Sequence, residues 1–267
     1  MLARMRVLRA FLVTIIGATL AWGCSGPTAS TAPTPVGAPL RMEIVSTRPH
    51  DPAAFTQGFE VVGRTLVEGT GLVGKTWVSA TDLVTGQELR RVPLSGMFGE
   101  GITSTGNSLW QITWQNRTAI ERDPVTLEER RRVAYVGEGW GLCMHEASGR
   151  LIMSNGSNTL QFRDPVTFDP VGTVNVVGFG NMPLNELECA EDGTVYANIW
   201  QRDTILRIDP NTGGVLSIID ASALRRQIPG KLSRDSVLNG IAQIPGTDRF
   251  LLTGKNWPTT FEVRFVG

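Results

Sequence analysis

From Leu40 onward the chain is a succession of short β-rich runs cut by turn residues, with few long apolar stretches. Runs such as WVSAT, TAIER, LQFR and ILRI alternate or cluster apolar residues in the way of half-buried strands. Each is followed by a turn of pattern D-x-x-T: Asp82 to Thr85, Asp123 to Thr126, Asp164 to Thr167 and Asp209 to Thr212. The Asp accepts backbone N–H bonds, the Pro found in three of these turns pre-sets φ, and Gly supplies a left-handed position. The turns start 41, 41 and 45 residues apart. A last run, Phe261 to Phe265, ends the chain without its turn.

A second register carries the same period. Gly63, Gly106, Gly149, Gly193 and Gly246 each open a turn into a strand, at steps of 43, 43, 44 and 53 residues. The long last step holds an insertion, Ala223 to Asp235, which reads as a short helix and loop. Each unit of about 44 residues holds four short strands; in the first they fall near 58–62, 66–70, 75–81 and 88–94. Four-stranded units at this period predict an all-β protein, a five-bladed β-propeller over 40–267. The fifth unit lacks its outermost strand, and Arg41 to Thr47 is the spare strand that can close the ring and leave no open edge. A pair of β-sandwiches would not explain the even spacing.

Composition adds an address. Arg4, Arg6 and Arg9 precede an apolar run, Phe11 to Leu20, too short to span a bilayer comfortably, so 1–23 reads as an export signal. Gly23-Cys24 follows, which looks like a bacterial lipoprotein signal with Cys24 lipidated; ordinary signal-peptidase cleavage nearby is the rival. Residues 24–39, rich in Ser, Thr, Pro and Gly, read as a disordered tether. The expectation is a periplasmic or cell-envelope monomer that meets the membrane only through a lipid anchor. The 25 basic and 25 acidic residues balance, which leaves no electrostatic footprint for nucleic acid. The two further cysteines, Cys143 and Cys189, read as buried free thiols, with a disulfide the alternative that export permits. With His50 and His145 the only histidines, a structural zinc cluster is not expected.

The candidate chemistry sits where the innermost strand of each unit begins. Those starts are FTQG (55–58), FGEG (98–101), GWG (139–141), LNE (184–186) and LNG (238–240). A propeller brings such segments together at one end of its channel, so Gln57, Glu100, Trp140, Asn185 and Asn239 should meet. Second strands end nearby in Trp114, Trp200 and Lys255. Glu100, between two glycines and among aromatics, is placed as a site for a small amine or amide would be. Each residue has a bland reading as well: a turn glutamate, tryptophans packing blades together, a surface lysine. Glu186 and Glu188 are rivals of Glu100 as an acid/base, though strand alternation sets them apart from Asn185 and suggests they fix neighbouring loops. His50 and Asp51 read as a turn, with His50 able to reach the mouth.

Taken together, PHDPAAFTQG (49–58), EGTGLVG (68–74), FGEG, QITW (111–114), GWGL (139–142), LNELE (184–188), YANIW (196–200), LNGIA (238–242) and LTGKNWP (252–258) resemble the glutaminyl-peptide cyclotransferase family, propeller type of plants and bacteria. The resemblance covers about residues 44 to 264. It implies a five-bladed propeller that converts the N-terminal Gln of peptides or proteins to pyroglutamate and releases ammonia. It implies site residues Phe55, Gln57, Phe98, Glu100, Trp114, Trp140, Asn185, Trp200 and Lys255. Cys143 departs from the family pattern at a position expected to be polar. No catalytic metal or other cofactor is expected, and a structural ion stays open. Glu100 is expected to act as general acid/base, Lys255 and Asn185 to stabilise an oxyanion or grip a peptide carbonyl, and Gln57 to orient the substrate amide. A non-catalytic envelope propeller that binds peptides or polymers is the alternative; a lactone- or sugar-processing propeller would need a carboxylate cluster around calcium.

Overall fold

The structure, a computed structural model, describes residues 37–178 and 182–267. The export segment, Cys24 and most of the tether lie outside these residues. Strand β1 (Arg41–Pro49) comes first in the chain. The first blade is β2 (Thr56–Val62), β3 (Thr65–Thr70), β4 (Trp77–Asp82) and β5 (Glu88–Pro93), and the second is β6 (Gly99–Ser104), β7 (Leu109–Thr113), β8 (Thr118–Arg122) and β9 (Glu129–Ala134). The third is β10 (Leu142–His145), β11 (Arg150–Met153), β12 (Thr159–Arg163) and β13 (Pro170–Asn175). The fourth is β14 (Leu184–Cys189), β15 (Val195–Ile199), β16 (Thr204–Ile208) and β17 (Val215–Asp220). A short helix α1 (Ser222–Gln227) leads to the fifth, made of β18 (Leu238–Gln243), β19 (Arg249–Gly254), β20 (Thr259–Val266) and the returning β1. Inner strands β2, β6, β10, β14 and β18 each touch the next, and β18 touches β2, so the five blades form a propeller ring.

Burial follows rank within the blade. Every residue of β6 and β7 is buried, whereas β5, β9 and β13 are exposed at nearly every position and carry runs such as ERRRVA. The D-x-x-T turns behave as expected. Asp82 Oδ1 accepts the N–H groups of Val84 and Thr85 at 3.0 and 2.8 Å, and Asp123 and Asp164 repeat the arrangement. The left-handed position is Gly86 and Gly213 in two turns but Leu127 and Phe168 in the others, at φ 61° and 66°. A left-handed non-glycine costs about 1–2 kcal/mol. Both side chains are fully buried under their blades, and burying a Leu or Phe stabilises by about 1.5–3 kcal/mol, which offsets that strain.

Two devices lock neighbouring blades. At the closure β1 pairs antiparallel with β20 from Arg41↔Val266 to Pro49↔Thr259. Just beyond it His50 sets Nδ1 2.6 Å from the Trp257 carbonyl and Nε2 3.0 Å from Glu68, tying the fifth blade to the first. Burial disfavours the imidazolium there, but the Glu68 carboxylate outweighs it and holds the His50 pKa above its ordinary value. His50 is thus a buried clamp and does not reach the mouth.

The second device corrects the reading of Cys143 and Cys189 as free thiols: they form a disulfide between β10 and β14. Their separation of 46 residues is about one repeat, so the fold sets them on adjacent inner strands with Cα atoms 5.4 Å apart, inside the usual disulfide range. Closing a loop of that length is expected to stabilise by about 4 kcal/mol in the chain-entropy account. Urea unfolding of Cys143→Ala/Cys189→Ala against wild type should show a loss of that order; unchanged stability would mean that the bridge constrains little.

Candidate active site

The inner strands are where regular alternation fails, and the failures coincide with the candidate residues. Pairing slips between Thr56 and Gly58, Gly99 and Ile102, Leu184 and Leu187, and Leu238 and Ile241. These irregularities bracket Gln57, Glu100, Asn185 and Asn239. A bulge re-aims a side chain that alternation would have sent elsewhere. The strands also pack too closely for side chains at some points: a Cβ on Gly101 would lie 2.5 Å from the Leu142 nitrogen, and one on Gly141 would lie 2.2 Å from the Asn185 carbonyl. The glycines beside Glu100 and Trp140 are therefore what lets neighbouring inner strands meet.

A cavity of about 330 Å³ opens at this end of the channel. Phe55, Gln57, Phe98, Glu100, Trp114, Trp140, Asn185, Trp200 and Lys255 all line it. Asn239 does not line it; its amide stands behind Gln57, 3.1 Å from Gln57 Oε1. One aromatic wall runs from Phe55 to Phe98 to Trp114, edge to face, with centroids 6.1 and 5.6 Å apart. The other is Trp140 against Trp200 at 5.6 Å and 82°. Trp200 is the exposed member, at 41%, and forms the rim.

Glu138, which sequence reasoning passed over, joins the two walls. Its Oε2 accepts both Trp114 Nε1 at 2.7 Å and Trp140 Nε1 at 3.2 Å. Burial tends to raise its carboxyl, but the indole hydrogen bonds prevail and hold its pKa below the ordinary value. Freeing two indole N–H groups from a charged acceptor forfeits interactions worth a few kcal/mol. Glu138→Ala is accordingly expected to raise KM about tenfold or more, with a smaller effect on kcat, for a substrate held between the walls. Steady-state kinetics on a Gln-initiated peptide check this; an unchanged KM would show that the walls hold themselves.

The polar floor is Glu100, Gln57, Asn185 and Lys255. Gln57 Nε2 donates to Glu100 Oε1 at 3.1 Å, while Glu100 Oε2 is buried and has no hydrogen-bond partner among the described residues. Burial pushes the Glu100 carboxyl well above the ordinary value; Lys255 draws it back down and Glu138 adds to the rise. Lys255 is 5% exposed, with Nζ 4.9 Å from the centre of the Phe55 ring. Burial lowers its pKa, while Glu100 and Asp235 oppose the fall. Both members of the pair are thus pushed toward their neutral forms, which suits proton exchange more than a static ion pair. Gln57 already serves Glu100, so it is less free to orient a substrate than the sequence suggested.

The insertion supplies part of the wall as well. Arg234, Asp235 and Val237 line the cavity, and the Lys255 N–H donates to the Val237 carbonyl at 2.9 Å. Trp257 Nε1 and Arg225 both donate to the Ser236 carbonyl, which clamps the insertion onto the segment bearing Lys255. Glu186 and Glu188 stay out of the cavity. Glu186 Oε2 accepts the Ile241 N–H of the next inner strand at 2.8 Å, and Glu188 lines a separate space of about 30 Å³ beside the disulfide. Among the described residues, no group of three or more His, Cys, Asp and Glu side chains is arranged to hold a metal ion.

Comparison with known proteins shows the family and the fold. The chain matches the glutamine cyclotransferase family over residues 16–265. It is 37% identical over 230 residues to a glutaminyl-peptide cyclotransferase of Arabidopsis thaliana, an alignment covering 84% of this chain and 71% of the relative. The crystal structure of Myxococcus xanthus glutaminyl cyclase superposes with a TM-score of 0.80 at 38% identity, covering 87% of this chain and 99% of the other.

Proposed function

Since the chain belongs to the glutamine cyclotransferase family, we propose from that premise how its cavity carries out the reaction. The activity is that of a glutaminyl-peptide cyclotransferase: the N-terminal Gln of a peptide becomes pyroglutamate and ammonia leaves. The α-amine attacks the Cδ of its own side chain, so the nucleophile and the electrophile arrive together. What the protein must supply is the folded conformer and the handling of protons. The facing aromatic walls press the short Gln side chain toward its backbone. Glu100 takes a proton from the attacking amine and returns one to the departing nitrogen. A carboxyl whose pKa lies near working pH performs both halves, and burial moves Glu100 in that direction. Lys255 and Asn185 stabilise the oxyanion that forms when the amide carbonyl is attacked.

The observation that carries this reading is the uncommitted, buried Oε2 of Glu100 in a cavity walled by Phe98, Trp114 and Trp140. The test is ammonia release from a short Gln-initiated peptide with EDTA present. Release by wild type that EDTA spares and Glu100→Gln abolishes supports a metal-independent acid/base role for Glu100. No release from folded wild type would favour a peptide-binding propeller instead. The proposal also includes an exported, envelope-located monomer held by lipid on Cys24; loss of radiolabelled palmitate incorporation in Cys24→Ala would support the anchor, and equal labelling would reject it.

A further inference from the structure

Behind the cavity lies a chain of amides with a fixed direction. Asn239 is fully buried, and its Nδ2 donates to the Thr56 carbonyl at 2.9 Å and to Gln57 Oε1 at 3.1 Å. A backbone carbonyl only accepts, so the end of Asn239 that faces it must be the NH₂ group. That NH₂ also reaches Gln57, which makes the facing end of Gln57 its carbonyl. The NH₂ of Gln57 is then turned to Glu100 Oε1, at 3.1 Å. Each amide orientation follows from the one before, starting from a main-chain atom that cannot change its role.

We propose that Asn239 is a positioning residue that acts through Gln57 to keep a hydrogen bond on Glu100 Oε1 and so confines the mobile proton to Oε2. The proposal rests on the cyclotransferase reading of the cavity. As the N–Cδ bond forms, a proton passes from the α-amine to Oε2. As the bond from Cδ to the amide nitrogen breaks, Oε2 gives a proton to that nitrogen, ammonia leaves and the carbonyl is restored. Glu100 ends the cycle as it began, with Oε1 a constant acceptor. Oε2, the oxygen without a partner among the described residues, is the one the proposal requires.

The charged groups acting on Glu100 are Lys255 and Glu138, and Tyr135 in turn feels the Glu100 charge. All three stay in place when Asn239 changes. In Asn239→Asp the carboxylate draws the Gln57 NH₂ to itself and turns the Gln57 carbonyl toward Glu100. A carboxylate that loses its donor and gains a facing acceptor holds its proton more tightly. The acid limb of kcat/KM should move up by roughly one pH unit or more, the size expected for a hydrogen bond to a charged group. At a pH below that limb kcat should fall about tenfold or more, with KM within about threefold. Asn239→Ser, which removes the constraint without adding charge, should shift the limb in the same direction by less and serves if Asn239→Asp fails to fold. In a Gln57→Leu background the Asn239→Ser substitution should add no further shift. Folded Asn239 variants whose pH profiles overlay wild type overturn the proposal, as does an equal shift with and without Gln57. Wild type that releases no ammonia overturns the functional reading instead.

Discussion

Glu100→Gln is expected to lower kcat by about 10²- to 10⁴-fold, the usual worth of a positioned acid/base, while leaving the ring folded. The substitution is nearly isosteric. A glutamine can turn its carbonyl to Gln57 Nε2 and preserve the 3.1 Å hydrogen bond. What it cannot do is accept and return a proton. Stability separates this loss from misfolding, and its sign is fixed. The folded pKa of Glu100 lies above its unfolded value, because burial penalises the carboxylate. Between those two values the native state binds the additional proton, so this group contributes less stability as pH rises. Glutamine has no such dependence. Thermal unfolding should find Glu100→Gln at least as stable as wild type at pH 8, with the difference smaller at pH 5. A variant that is inactive yet less stable at pH 8 would point to a structural role for the carboxylate.

Lys255→Met is expected to cost on the order of 100-fold or more in kcat, the size seen when one oxyanion donor is removed. Methionine keeps the stem that packs by Phe55 and discards only the cation. If Lys255 acts on the transition state, kcat falls more than KM rises; the reverse would make it a substrate-binding residue. A second readout is independent of that split. Lys255 draws the Glu100 pKa down and Glu138 pushes it up. The acid limb of kcat/KM should therefore move to higher pH in Lys255→Met and to lower pH in Glu138→Gln. Opposite shifts from two substitutions on different blades would locate the titrating group between them.

The fold was legible because turns repeat more faithfully than strands do. Asp82, Asp123, Asp164 and Asp209 mark the same corner of the first four blades, and Gly63, Gly106, Gly149, Gly193 and Gly246 extend the count to five. The same register pointed to Gln57, Glu100, Trp140 and Asn185 at inner-strand starts and to Trp114, Trp200 and Lys255 at second-strand ends, and wrongly added Asn239, while Phe55 and Phe98 came with the family resemblance. What escaped the sequence was set by local departures from the repeat. Glu138 lies two residues before Trp140 in a glycine-rich turn, and nothing in its neighbourhood tells that Trp114 will come within reach. Arg234 and Asp235 belong to an insertion with no counterpart in other units. The disulfide joins cysteines from different ranks of residue, at the start of β10 and the end of β14, so no spacing motif announces it. Leu127 and Phe168 occupy backbone positions for which glycine is the usual marker, because packing beneath the blade overrides the local preference.

The closing blade sets an order of events in the life of the molecule. Lys255 follows β19, in the blade that β1 completes by pairing with β20, and Val266 is partnered with Arg41. Lys255 therefore stands in the one blade whose strands come from opposite parts of the described sequence, β1 with β18 to β20. The blade that carries the cation is complete only once β1 has docked on β20. Closing the ring and finishing the pocket are therefore one event, and a chain whose β1 is undocked is expected to be inactive.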